Sequence, residues 1–178
     1  MPNTEKSPHP TATGRENLIQ ALNEDLAREY QAVIAYVTYS KVLKGAKYMN
    51  IAAELEKHAS EELQHALTIA EQVDYLGGTP VVQPKPVKST DDNDEMLRAD
   101  LANEVATIRN YRQRIKQCEE LGEFAMGELI REILIQEQDH LIALATALGI
   151  DAPRIDAEEG SDVSSEKKPT SKPASAGR

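Results

Sequence analysis

Four glutamates occupy positions where a helical chain calls for leucine or isoleucine, each near the middle of the apolar seam of a different predicted helix. In the first helix Ile19, Leu22, Leu26, Glu29, Val33 and Tyr36 follow one another at steps of three and four, the spacing of a stripe that packs on neighbouring helices. The second seam runs through Ala52, Leu55, Ala59, Glu62, Ala66, Ile69, Val73 and Leu76. The third holds Leu97, Leu101, Glu104, Ile108, Tyr111 and Ile115, and the fourth Met126, Ile130, Ile133, Glu137, His140 or its neighbour Leu141, and Leu144. A charged carboxylate in a dry core costs several kcal/mol unless it is paired. One such group per helix, at a similar depth in each, calls for a common partner, and cations meet that need.

Two of the four glutamates carry a histidine three residues on, in Glu62-x-x-His65 and Glu137-x-x-His140. Residues at i and i+3 share a helix face, so each pair presents a carboxylate and a ring nitrogen to one region of the core. The set Glu29, Glu62, His65 returns 75 residues later as Glu104, Glu137, His140. Asp25, Leu26, Ala27 and Tyr36 return at the same offset as Asp100, Leu101, Ala102 and Tyr111, so the two helical hairpins read as a doubled unit. With glutamate this frequent, a histidine has roughly a one in nine chance of following one at that spacing. Chance can therefore supply a pair or two, but not six residues at matched offsets on apolar seams. Four carboxylates and two neutral imidazoles balance two divalent cations. Oxygen and nitrogen donors together suit iron, manganese or zinc, and a set without thiolates argues against a structural zinc cluster.

The 178 residues suit one domain with a sizeable core. No apolar run approaches the length of a membrane span and no basic-then-apolar leader is present, so neither a membrane helix nor a signal peptide is expected. Cys118 is the single cysteine; it falls on the third seam and reads as a packed thiol in a reducing cytoplasm. Residues 1–14 read as a flexible lead-in, 15–150 as the helical domain and 151–178 as a disordered tail rich in Pro, Ser and charge. Thr13-Gly14-Arg15-Glu16 has the pattern of a capping box opening the first helix. Turns are expected at Lys44-Gly45-Ala46, Gly77-Gly78 and Glu120-Leu121-Gly122. Between the second and third helices lies TPVVQPKPVKST, whose prolines exclude a helix. Residues 77–90 can extend to about 46 to 50 Å, and a helix of about 28 residues spans about 42 Å. The connection can therefore cross the full bundle and set those two helices parallel.

The segments LNEDLAREYQAVIAY, EELQHA, EMLRADLANEV and ILIQEQDH resemble the ferritin superfamily, and its bacterioferritin branch in particular. The likeness runs from about residue 16 to residue 149. It implies an all-α, ferritin-like four-helix bundle with a long crossover between helices two and three, carrying one Glu on each of two helices and Glu-x-x-His on each of the others. Carried over by position, Glu29, Glu62, His65, Glu104, Glu137 and His140 match all six family metal ligands. The resemblance implies that Glu62 and Glu137 bridge two irons, while Glu29 with His65 and Glu104 with His140 complete one ion each. Tyr36 stands where bacterioferritins have a first-helix tyrosine near the two irons, able to hold a carboxylate or pass an electron; a core tyrosine with a satisfied hydroxyl fits the same place.

Departures from the family narrow the expectation. Leu63 stands where haem-binding bacterioferritins have an axial methionine, so an intersubunit haem is not expected. Thr107 stands where rubrerythrins have a further glutamate. The stretch after Gly149 shows no amphipathic stripe for the short fifth helix of 24-subunit cages, which favours a dodecamer or a smaller shell. His58, one turn before Glu62, has no counterpart in the second repeat, where residue 133 is Ile; it reads as support or packing.

The resemblance implies a ferroxidase that takes Fe²⁺ with O₂ or H₂O₂ as oxidant and stores the Fe³⁺ product in a homo-oligomeric shell. Ten net negative charges fit an acidic shell interior that attracts cations. A DNA-protecting mini-ferritin is a second reading, resting on Lys167, Lys168, Lys172 and Arg178 in the tail. A dimanganese catalase or a diiron oxidase is a third, and a noncatalytic bundle a fourth.

Overall fold

A computed structural model describes residues 10–155. They form four long helices: α1 (Pro10–Val42), α2 (Met49–Tyr75), α3 (Asn93–Leu121) and α4 (Phe124–Leu148). A single 3₁₀ turn, Ala46–Tyr48, joins α1 to α2. The first helix starts earlier than the sequence indicates. Pro10 opens it, where a residue without an N–H loses nothing, so Thr13 to Glu16 lie inside the helix and do not cap it. Residues 10–14 of the expected lead-in are therefore helical. Residues 1–9, and the tail residues 156–178 with their lysines, lie outside the described part of the chain. Residues 151–155 are irregular, and Arg112 Nη1 donates to the Ile155 carbonyl at 2.6 Å, holding Ile155 against the core.

The crossover fixes the topology, because it can be followed along α1. Asn23 Nδ2 donates to the Thr79 carbonyl, and Asn23 Oδ1 accepts from Val81 N–H at 2.7 Å. Further on, Lys85 N–H reaches the Ala27 carbonyl at 2.9 Å, Gln31 reaches Pro86, and Tyr39 donates to the Lys88 carbonyl. The strand of chain thus climbs from residue 23 of α1 to beyond residue 39, roughly 24 Å at 1.5 Å per residue. At the top, Asn93 pairs with the backbone of Lys44, and Asp94 accepts from Lys47 and Tyr48, so α3 begins beside the start of α2. At the bottom, Glu123 accepts from Arg15 at 2.8 Å and from Tyr75. Helices α2 and α3 therefore run parallel, with α1 and α4 opposed to them.

Local chemistry sets the helix ends. Asp92 caps α3 by accepting from Glu95 N–H at 2.8 Å, and Asp94 and Glu95 place negative charge in its first turn. Gly122 ends α3 in the left-handed region at φ 77°, with its N–H and that of Glu123 returning to Glu119 and Cys118. At the end of α2, Gly78 packs so closely that an added Cβ would lie 2.5 Å from Ile19 Cγ2.

The core falls into two apolar halves. The upper half gathers Ala35, Tyr39, Leu43, Leu55, Ala59, Leu97, Leu101, Leu141 and Leu144. The lower half gathers Leu18, Leu22, Leu26, Ala66, Ile69, Val73, Cys118, Ile130 and Ile133. Cys118 is fully buried, and burial pushes its thiol up to about 11, as a packed cysteine requires. Of the seam residues expected to be buried, Ile19, Val33, Ala52 and Ile115 are only half so, since the exposed side of each stripe drifts to the bundle rim.

Candidate metal centre

Between the two apolar halves lies a layer of charge. Glu29 of α1, Glu62 and His65 of α2, Glu104 of α3, and Glu137 and His140 of α4 are each at most 3 % exposed. Donor atoms of Glu29, Glu62, His65 and Glu137 lie within 4.8 Å of one another, and so do those of Glu62, Glu104, Glu137 and His140. The two groups share Glu62 and Glu137. All six residues singled out by their spacing thus meet in one place, in two overlapping quartets.

The ring nitrogens of the histidines that face inward are both Nδ1. His65 Nδ1 is 3.0 Å from Glu62, 3.2 Å from Glu137 and 3.5 Å from Glu29. His140 Nδ1 is 2.9 Å from Glu62 and 3.6 Å from Glu137. The two tyrosines cross the repeat: Tyr36 of α1 donates to Glu104 of α3, and Tyr111 of α3 donates to Glu29 of α1. Of the remaining oxygens, Glu104 Oε2 is buried without a well-formed hydrogen bond, and Glu29 Oε2 and Glu137 Oε1 have only their contacts with the shared His65 Nδ1, at 3.5 and 3.2 Å. Native interiors rarely leave such atoms unmet. Three such under-satisfied oxygens among oxygen and nitrogen donors fit divalent cations.

Burial and crowding shift the layer toward its protonated forms. Burial, then repulsion from Glu62 and Glu137, holds Glu29 well above the usual carboxylate range; burial and the same two neighbours do so for Glu104. Burial also opposes charge on Glu62, yet hydrogen bonds from His140 and His65 outweigh it and keep this carboxyl well below its ordinary value. Burial alone would lower the His140 pKa, but hydrogen bonds to Glu137 and Glu62 carry it up to about 10, and the same balance with Glu137 and Glu29 raises His65. The layer thus favours the protonated forms of Glu29, Glu104, His65 and His140, which reduces the negative charge that bound cations would otherwise neutralise.

Several residues around the layer are not singled out by the seams. His58 is buried, stacks on His140 with ring centroids 4.0 Å apart and meets the edge of Tyr36 at 5.5 Å; it supports the layer, as its unmatched position indicates. Buried Asp25 accepts from Arg114 Nε at 2.7 Å. Asp100, its counterpart at the 75-residue offset, is buried too. That offset already links these two acids in the sequence, but nothing there announces the arginine. Glu61 and Gln136 stand behind the histidines, at 2.9 Å from His140 Nε2 and 2.8 Å from His65 Nε2. A narrow cleft between α1 and α3, lined by Arg28, Gln31, Asn103 and Thr107, opens onto Glu29, Glu62, Glu104 and Glu137.

A four-helix bundle with a long parallel crossover and a core layer of four glutamates and two histidines defines a class, that of ferritin-like bundles. The chain belongs to the family of the ferritin-like domain, whose model matches residues 19–151. Among curated proteins it is 31 % identical to a bacterioferritin of Desulfovibrio desulfuricans, over 71 % of this chain and 72 % of that one. A bacterioferritin of Brucella melitensis is 28 % identical over 77 % of this chain and 86 % of its own. Among solved structures, a ferritin-like diiron-carboxylate protein of Bacillus anthracis superposes with a TM-score of 0.73 at 33 % identity, covering 76 % of this chain and 97 % of that one. A dodecameric thioferritin of Bacteroides fragilis, described as bacterioferritin-related, superposes with a TM-score of 0.70 at 26 % identity, covering 76 % and 86 %. Among the described residues no helix is long and apolar enough to cross a membrane.

Proposed function

We propose that this protein is a ferroxidase that binds two Fe²⁺ ions per subunit in the buried layer, oxidises them with O₂ or H₂O₂ and passes Fe³⁺ to storage. The observation that carries this reading is the meeting of the six residues in two quartets that share Glu62 and Glu137. Glu29 and His65 complete one iron position, Glu104 and His140 the other, and Glu62 and Glu137 serve both. Iron is the substrate, and its own redox change supplies the chemistry. The chain's residues hold charge and geometry. Tyr36 and Tyr111 fix the terminal carboxylates, and the stacked His58 keeps His140 in place. The cleft beside Arg28 and Thr107 offers a route for ions.

Kinship with bacterioferritins and superposition on a dodecameric relative support a homo-oligomeric shell, and the cytoplasm suits iron handling by such a shell. Anaerobic loading with Fe²⁺ followed by O₂ or peroxide tests the activity. The wild type is expected to oxidise two ions per subunit rapidly, and Glu62→Ala and Glu137→Ala to lose the reaction, since each removes a ligand from both positions. Oxidation no faster than in buffer, or wild-type rates in both variants, would exclude it.

A further inference from the structure

The six layer residues and the two tyrosines match at the 75-residue offset, but the residues behind the histidines do not. Glu61 and Gln136 are themselves 75 residues apart, each directly before a shared glutamate. Each reaches across to the histidine of the other half. His140 Nε2 lies 2.9 Å from a Glu61 oxygen, and His65 Nε2 lies 2.8 Å from Gln136 Oε1. Behind the histidines the symmetry is thus broken by one change of atom, a carboxylate behind one ring and an amide behind the other.

That change has two physical consequences. A carboxylate only accepts, so Glu61 keeps a proton on His140 Nε2, and Nδ1, which faces Glu62 and Glu137, is the nitrogen left to give up its proton to a metal. An amide can present oxygen or nitrogen, so Gln136 pins the tautomer of His65 less firmly. A carboxylate partner also makes an imidazole a stronger donor to a metal, and losing such partners typically weakens metal binding about 10- to 100-fold. Glu61 is 32 % exposed in its side chain, so solvent screens part of the effect and the lower end of that range applies. A second difference lies on the same side. His58 stacks on His140, whereas Ile133 holds the corresponding position in the other repeat.

We infer that the two metal positions are unequal, and that the one completed by Glu104 and His140 is the tighter because Glu61 backs its histidine. The inference rests on the proposed two-metal reading of the layer. Glu61 is a positioning residue that acts through His140.

Anaerobic titration of the full chain with Co²⁺, followed by its visible absorption, reads both steps without any turnover. The wild type is expected to take two ions in steps about tenfold apart. Glu61→Gln is expected to weaken the tighter step about tenfold, leave the other where it was, and leave the melting temperature of the metal-free protein unchanged. Gln136→Glu is expected to strengthen the weaker step, a gain that structural damage cannot produce. Two ions bound in one unresolved step, with both variants superimposing on the wild type, overturns the inference while leaving the two-metal reading intact. A loss in Glu61→Gln that falls equally on both steps overturns it as well. No Co²⁺ bound inside the layer at all brings down the two-metal reading, and this inference with it.

Discussion

Asp25 and Arg114 show how a residue-scale contact is held in this bundle. Both are buried, and burial raises the Asp25 pKa even though Arg114 beside it pulls in the other direction. A buried pair of this kind adds little net stability, but removing one partner strands the other charge. Asp25→Ala is accordingly expected to cost about 3–5 kcal/mol in urea unfolding, and Asp25→Ala with Arg114→Met much less. Equal losses in the single and double variants would show that the pair is not what holds the site. Tyr36→Phe removes the donor to Glu104 without removing a candidate ligand. It is expected to keep two bound ions while slowing iron oxidation roughly tenfold, the scale of losing a supporting hydrogen bond, in stopped-flow absorbance.

At the scale of the element, the turn after α2 is the tightest constraint. Gly78→Ala would drive a methyl to 2.5 Å from Ile19 Cγ2 and 3.2 Å from the Val73 carbonyl oxygen. The backbone oxygen cannot move aside, so a loss of about 1–3 kcal/mol is expected by thermal or urea denaturation. The helices themselves were legible in the sequence because their seams keep a strict step of three and four and their breaks fall at Gly45, Gly77 and Gly122, all at positive φ. The start of α1 was not. Pro10 and the Thr13 to Glu16 pattern both signal an N-terminus, and only packing can choose between two such signals. The six layer residues could be read because charge on an apolar stripe is rare and each break recurs at one offset. Arg114, Glu61 and Gln136 could not, since an arginine or a glutamate on a helix is ordinary until a neighbouring helix gives it a buried partner.

At the scale of the whole molecule, the charged layer ties stability to pH. Glu29, Glu104 and His140 all have folded-state pKa values above their ordinary ones. The folded protein therefore binds more protons than the unfolded chain, and metal-free stability falls as pH rises from about 5 toward the His140 value of about 10. Melting temperatures of the metal-free protein are expected to decline across that window, and bound Zn²⁺ to reverse most of the decline. Filling the layer also expels protons, those of His65 and His140 among them. Metal affinity is thus expected to rise with pH, measurable as proton release into weak buffer.

The central claim is that six side chains from four helices converge to hold two cations inside one subunit. Anomalous scattering from crystals of the zinc-loaded protein tests it most directly. Two peaks per subunit, about 3.5–4 Å apart and flanked by Glu62 and Glu137, are the predicted result. A layer without peaks in fully loaded crystals, or zinc held only by surface carboxylates, would contradict it.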